Sequence, residues 1–169
     1  GKFLGNFMEE DKILVVMKDG TFKFTSYDLM NHYEDNILFI EKFDENKIFS
    51  AIYFDADQGY YYAKRFKFEY GTKQTSFIGD NEYSKLIHLL SEKQPRIQLE
   101  FGGKNKNKED QEILLPEFIA VKSYKARGKR LTNAEIKNIH LLDPLPDPEE
   151  MNNETDKDTM EEDQMSLEF

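Results

Sequence analysis

Short apolar runs separated by turn residues dominate the first 142 positions of the chain. Ile13 to Met17 (ILVVM) is a continuous, largely β-branched run, Lys18-Asp19-Gly20 carries turn residues, and Thr21 to Thr25 (TFKFT) alternates aromatic with polar side chains. Side chains alternate between the two faces of a β-strand, and turns rich in Asp and Gly join neighbouring strands. This segment therefore predicts a β-hairpin.

The same order returns twice further along the chain. Ile48 to Phe54 and Tyr60 to Phe68 flank the turn residues Asp55 to Gly59 and predict a second hairpin. Phe118 to Tyr124 and Lys129 to Thr132, on either side of another glycine-containing turn, predict a third. A strand–turn–strand unit that recurs after about forty residues is typical of propeller-like proteins. The sequence thus predicts an all-β fold with about three blades.

The rest of the body contains two further predicted strands and two predicted helices. Lys85 to Leu90 and Arg96 to Phe101 are apolar runs of strand length, and the polar insertion Gly102 to Glu112 follows them. Ser26 to Tyr33 and Thr132 to Ile139 are predicted to form short helices, because each begins with a residue type that caps a helix. The second also has the residue order of a capping box.

The charges divide the chain into two predicted domains. The net charge is −10, yet residues 143–169 hold eleven acidic residues and one lysine, so residues 1–142 are neutral overall. The tail has few apolar side chains to bury, and such a segment does not offset the entropy lost on ordering. We expect a folded domain at 1–142 and a disordered acidic tail at 143–169. The tail acts either as a solubiliser or as a competitor for a basic surface of the same chain.

Several classes of protein and site are disfavoured. The chain has no cysteine, which excludes disulfides and cysteine-built metal sites. No apolar run reaches membrane-spanning length, and Gly1 to Phe7 lacks the features of a signal peptide, so we expect a cytoplasmic protein without a membrane partner. His32, His88 and His140 are too widely spaced to suggest a metal site. No catalytic residue, metal or cofactor is predicted, because no phosphate-binding glycine loop or nucleophile motif occurs.

Basic and aromatic residues cluster in the second and third predicted hairpins. Arg65 and Lys67 are expected to share one strand face, and Phe66 and Phe68 the other. Four cations lie within the six residues KARGKR, where Gly128 would let a nucleic-acid backbone approach closely. The alternative is an ordinary solvated turn. The candidate phosphate contacts are Lys64, Arg65, Lys67, Lys122, Lys125, Arg127, Lys129 and Arg130.

Three segments carry a family resemblance: ILVVMKDGTFKFTSYDL, FSAIYFDADQGYYYAKRFKFE and EFIAVKSYKARGKRLT. They resemble the C-terminal domain of the A subunit of bacterial type IIA topoisomerases, topoisomerase IV or DNA gyrase, of the Bacteroides group. The resemblance implies a β-pinwheel, here a partial set of about three blades, whose basic rim binds and bends duplex DNA for the catalytic core. It also implies two protein partners, the remainder of the A subunit and the ATPase B subunit.

The resemblance also limits what this chain is expected to do. The active-site tyrosine of the family lies in an upstream region, so the chain is expected to be an accessory domain of an ATP-dependent isomerase and not an enzyme. Lys125 to Arg130 is at best a degenerate copy of the gyrase box, the basic glycine-rich stretch that the family uses in DNA wrapping. This departure argues against strong wrapping and favours topoisomerase IV over gyrase. We expect sequence-independent duplex-DNA binding, modulated by the acidic tail. The alternative is a protein-binding β module that recruits a partner subunit, and the salt dependence of binding discriminates between the two.

Overall fold

Three small antiparallel sheets hold just under half of the residues that the structure describes, residues 12–26 and 35–147 of a computed structural model. The strands are β1 Lys12–Met17, β2 Thr21–Ser26, β3 Ile37–Lys42, β4 Phe49–Asp55, β5 Tyr60–Phe66, β6 Thr75–Ser76, β7 Lys85–Leu90, β8 Arg96–Phe101, β9 Gln111–Leu114, β10 Lys129–Arg130 and β11 Ile136–Leu142. A 3-10 turn at Gly103–Asn105 and a four-residue helix α1, Leu115–Phe118, complete the regular elements of these ranges. The all-β prediction is confirmed.

The strand order is β3-β1-β2-β6 in the first sheet, β10-β5-β4-β7 in the second and β11-β8-β9 in the third. The first two predicted hairpins are confirmed as β1–β2 and β4–β5, and in the latter Asp55 lies opposite Tyr60. The strands predicted at Lys85 to Leu90 and Arg96 to Phe101 are confirmed as β7 and β8. These predictions rested on local sequence pattern, which is sufficient where strand and turn signals are adjacent.

The second sheet carries a hydrophobic core on each of its faces. Phe49, Tyr53 and Phe66 pack into an aromatic cluster shared with the first sheet. Ile52 and Ala63 pack into a second cluster, shared with the apolar residues of β8. Successive side chains of a strand point to opposite faces, so β4 and β5 each supply both clusters. The position of β5 is thereby fixed from both sides.

The predicted third hairpin is wrong. Phe118 ends α1 instead of starting a strand, and Val121 makes an isolated parallel bridge to Arg65. The two residues of β10 pair with β5, where Lys129 lies opposite Ala63. The partner strand is remote in sequence because β4 occupies one edge of β5 and leaves the other for β10.

The helix predicted at Thr132 to Ile139 is also wrong. Strand β11 pairs with β8 in an antiparallel ladder that places Ile139 opposite Leu99. The Thr132 hydroxyl accepts the backbone N–H of Ala134 at 3.1 Å, which makes a local turn and not a helix cap. Long-range strand pairing overrides the local capping signal here. The other predicted helix starts at the last residue of β2, and residues 27–34 lie outside the described ranges.

The chain stays attached to the third sheet beyond the predicted domain boundary at residue 142. The Arg96 Nε donates to the carbonyl oxygen of Asp143 at 2.7 Å. The Gln94 side chain donates to the Pro146 carbonyl oxygen, and the Leu145 N–H donates to the Gln94 carbonyl oxygen, both at 2.9 Å. Residues 148–169 lie outside the described ranges, so the predicted disorder of the tail stays a prediction.

Candidate nucleic-acid interface

The fold brings the two predicted basic segments together along one strand edge. The Lys122 N–H donates to the Arg65 carbonyl oxygen, and the Leu131 N–H donates to the Tyr61 carbonyl oxygen, both at 2.9 Å. Between these bonds runs the segment 122–130, which we call the basic loop; it has three lysines, two arginines and no acidic residue. Strand β5 thus holds a loop that follows it by about sixty residues.

Lys64 lies beneath the basic loop and supports it. Its side chain is buried, with 4% of the residue exposed, and Nζ donates to the carbonyl oxygens of Tyr124 and Ala126. Nζ also lies 5.5 Å from the centre of the Tyr53 ring and 5.4 Å from that of Phe66. A side chain in this position does not reach a phosphate outside the protein. The structure therefore corrects the placement of Lys64, from the binding surface to the support of the loop.

Tyr53 provides the second support. Its hydroxyl donates to the carbonyl oxygen of Arg127, and the residue is 1% exposed. Burial, followed by the negative charge of Asp55, raises the pKa of the Tyr53 hydroxyl above its ordinary value. The phenol thus stays protonated and remains a hydrogen-bond donor to the loop.

Gly128 lets the basic loop lie directly against β5. Its φ is +91°, and a Cβ at this position would lie 2.4 Å from the Ala63 carbonyl oxygen and 2.9 Å from the Lys64 Cβ. Any other residue would be strained at this φ and would collide with the strand. The close approach that Gly128 allows is therefore to the backbone of β5. The predicted approach of a nucleic-acid backbone to the outer side of the loop stays a prediction.

Lys125, Arg127 and Lys129 are three of the four exposed cations of the basic loop. Lys125 is exposed, with Nζ 5.8 Å from the centre of the Tyr124 ring. Arg127 has a side chain that is 58% exposed, and its Nε lies 3.5 Å from Asp55 Oδ2. Exposed Lys129 donates from Nζ to the Phe118 carbonyl oxygen at 3.3 Å. These three cations are accessible to an anion, because exposed ion pairs and hydrogen bonds of this kind are weak.

The remaining predicted contacts differ in exposure. Lys67 and Lys122 are exposed, whereas Arg65 is half-buried, donates from Nε to Ser50 Oγ at 3.2 Å and has a pKa lowered by burial. Arg130 is also half-buried: its guanidinium lies 3.8 Å from the centre of the Tyr60 ring, and NH1 donates to Asn133 Oδ1 at 2.8 Å. Seven of the eight predicted residues therefore retain a solvent-facing portion, and Lys64 does not.

A cleft of about 450 Å³ separates the basic loop from the β4–β5 turn and the segment after β6. Asp55 and Asp80 line it together with Lys125 and Arg127. Within 12–26 and 35–147, no three metal-binding side chains are grouped to hold an ion, and no helix is long and apolar enough to cross a membrane. The charged side chains of the cleft and of the basic loop form a charged surface.

The burial of Lys64 predicts that the fold gains stability as pH rises. Burial lowers the pKa of Lys64 from 10.5 to about 8, whereas the unfolded chain retains the ordinary value. Between these values the unfolded state binds more protons than the folded state, so the free energy of unfolding increases with pH. Below pH 8 both states are protonated and this contribution is flat. We expect unfolding to cost about 1.4 kcal/mol more at pH 9 than at pH 7.

Denaturant unfolding at pH 7, 8 and 9 measures this dependence. Lys64→Met should remove the increase, because it replaces the amine with an apolar side chain of similar length. Lys67→Met, at an exposed lysine three residues further on, is the matched control and should retain it. An increase of the same size in Lys64→Met would show that another group is responsible.

Comparison with known protein families gives one match. A family model described as the topoisomerase C-terminal domain of Bacteroidota matches residues 1–143, which is most of the 169-residue chain. The matched range includes the basic loop, β5 and all three sheets. No curated protein matches the chain.

Proposed function

Because this chain belongs to the family of topoisomerase C-terminal domains of Bacteroidota, we propose that it binds duplex DNA independently of sequence and presents the bound segment to a topoisomerase catalytic core. Membership of the family makes it an accessory part of an isomerase. We propose that this isomerase is an ATP-dependent type IIA enzyme, whose partner chains are the rest of the A subunit and the ATPase B subunit. The three sheets then correspond to a partial β-pinwheel.

The observation that carries this proposal is the exposed charge of the basic loop. Lys122, Lys125, Arg127 and Lys129 project from one short loop, which itself contains no carboxylate. The nearest carboxylate contact is the 3.5 Å pair of Arg127 with Asp55, and it leaves most of the arginine side chain exposed. Cations arranged in this way bind the phosphates of a duplex through charge.

The proposed binding mode reads phosphates and not bases. The loop lies flat against β5, and the described part of the chain offers no long helix to enter the major groove. Half-buried Arg65 and Arg130 extend the basic surface along the same strand edge. We propose that the duplex bends as it follows this edge, and that the acidic tail competes with it for the same cations.

The experiment that tests the proposal is a fluorescence or gel-shift titration of residues 1–169 with two unrelated duplexes at several salt concentrations. Similar affinities for both duplexes are expected, because phosphate contacts carry no sequence information. Log affinity should fall linearly with log salt, with a slope of roughly −0.9 for each phosphate contacted.

Two outcomes would contradict DNA binding as the function. One is no measurable binding to either duplex at low salt. The other is an affinity that does not change with salt, which is typical of a largely apolar interface and would favour a module that binds a protein partner.

A further inference from the structure

The basic loop turns three of its carbonyl groups into the protein. Those of Tyr124 and Ala126 both accept from the buried Nζ of Lys64, and that of Arg127 accepts from the buried hydroxyl of Tyr53. Nζ and the Tyr53 ring are 5.5 Å apart, so the three carbonyls point to the same side of the loop. The interior of the domain therefore fixes the direction of the loop's peptide planes.

The orientation of these carbonyls fixes the orientation of the amides that follow them. In a planar trans peptide the C=O of one residue and the N–H of the next point in opposite directions, and the described chain has no cis peptide. The N–H groups of Arg127 and Gly128 therefore point away from Lys64 and Tyr53, toward the outer side of the loop. The N–H of Lys125, by contrast, donates to Ser123 Oγ at 3.2 Å.

The backbone dihedrals of this turn add a concave shape. Gly128 has φ of +91°, whereas Arg127 has a negative φ, because no described residue other than glycine has a positive one. An αR–αL pair of residues directs neighbouring N–H groups toward a common point and makes a concavity that binds anions, and the signs of φ at Arg127 and Gly128 are those of such a pair. The cations in and beside this turn, Lys125, Arg127 and Lys129, are exposed.

We propose that the main-chain N–H groups of Arg127 and Gly128 form a binding site for one phosphate group, supplied by the backbone of duplex DNA. The proposal rests on the proposed function only in naming duplex DNA as the source of the phosphate. The groups of the site are main-chain amides and do not depend on that source. Side-chain cations attract the duplex from a distance, and the two amides fix one phosphate at a defined position. Lys64 and Tyr53 act as positioning residues, because they hold the carbonyls and leave both amides directed outward.

An NMR titration of the ¹⁵N-labelled chain with sodium phosphate tests the site, with sodium chloride at matched ionic strength as the control. Saturable downfield shifts of the Arg127 and Gly128 amide protons are expected with phosphate and not with chloride. The Lys125→Gln/Lys129→Gln variant should bind phosphate more weakly and still shift the same two amides. Absence of a response at these amides, or an equal response to chloride, would overturn the proposal.

The second measurement perturbs the backbone and leaves every charge in place. Gly128→Ala should displace the loop, because the new Cβ would lie 2.4 Å from the Ala63 carbonyl oxygen. Gly59→Ala is the matched control, since Gly59 also has a positive φ, +73°, but open space around it. Duplex affinity should fall about tenfold or more in Gly128→Ala and stay unchanged in Gly59→Ala, because a hydrogen bond to a charged group is worth about a factor of ten.

The two measurements separate this site from the proposed function. A phosphate response at the amides without duplex binding would refute DNA binding and leave the phosphate site in place. Duplex binding without an amide response, or with full affinity in Gly128→Ala, would refute the site and leave DNA binding in place. If Gly128→Ala fails to fold, the wild-type and glutamine-variant titrations decide the question.

Discussion

Replacing Lys125, Arg127 and Lys129 together with alanine is expected to weaken duplex binding by about two to three orders of magnitude near 0.1 M salt. Each phosphate contact contributes roughly 0.9 to the slope of log affinity against log salt, so three contacts contribute about 2.7. The slope should become less steep by that amount, and equally so for unrelated duplexes. The three side chains are exposed, so the variant should keep its fold.

The control for this variant removes the same charge elsewhere. Lys104, Lys106 and Lys108 are exposed lysines in the loop between β8 and β9, and their triple alanine variant has the same net charge. It should bind with nearly the wild-type slope. An equal loss in both variants would show that overall charge determines binding and that the basic loop is not the contact surface.

Removing residues 148–169 is expected to tighten duplex binding about tenfold at 0.01 M salt, and less at 0.15 M. The segment holds nine acidic residues and one lysine, so its removal changes the net charge from −10 to −2. A tethered acidic segment competes at an effective concentration of about a millimolar, and its charge is screened beyond about 8 Å at 0.15 M salt. Truncation after Asp147 keeps the contacts of Gln94 and Arg96 with the preceding residues.

The same segment supplied as a free peptide distinguishes competition from general repulsion. A competitor should displace duplex from the truncated chain at high peptide concentration, whereas repulsion that depends on the tether should vanish in trans. If the intact and truncated chains bind equally at low salt, the tail is a solubiliser and does not regulate binding.

Local patterns predicted those parts of the fold whose partners are adjacent in sequence. The β1–β2 and β4–β5 hairpins each combine two alternating or β-branched runs with a glycine-containing turn, and both form as expected. Strand β3 was missed, although Ile37 to Ile40 (ILFI) is a continuous apolar run next to residues 27–34. Strand β11 was predicted as a helix, because a capping-box order outweighed the apolar positions that pair with β8.

The sequence pointed to the residues of the candidate site, but not to the strand pairing that brings them together. No local signal links β10 to β5, since strand pairing at this separation depends on which sheet edge the rest of the fold leaves open. The burial of Lys64, however, could have been predicted from the sequence. It lies two residues from Tyr62 and two from Phe66, and alternation along a strand places all three on the aromatic face.

The pairing of β10 with β5 has a consequence for the nascent chain. Among the strands of the second sheet, β10 is the last to be synthesised, after β4, β5 and β7. Contacts between distant segments form only after both have emerged, and they are the slow ones because the intervening chain must first be ordered. The cations of β5 and of the basic loop therefore do not share a surface until translation has passed Arg130. The proposed capacity to bind DNA would then be acquired as a late step of folding, and we expect a chain truncated within the basic loop to lack it.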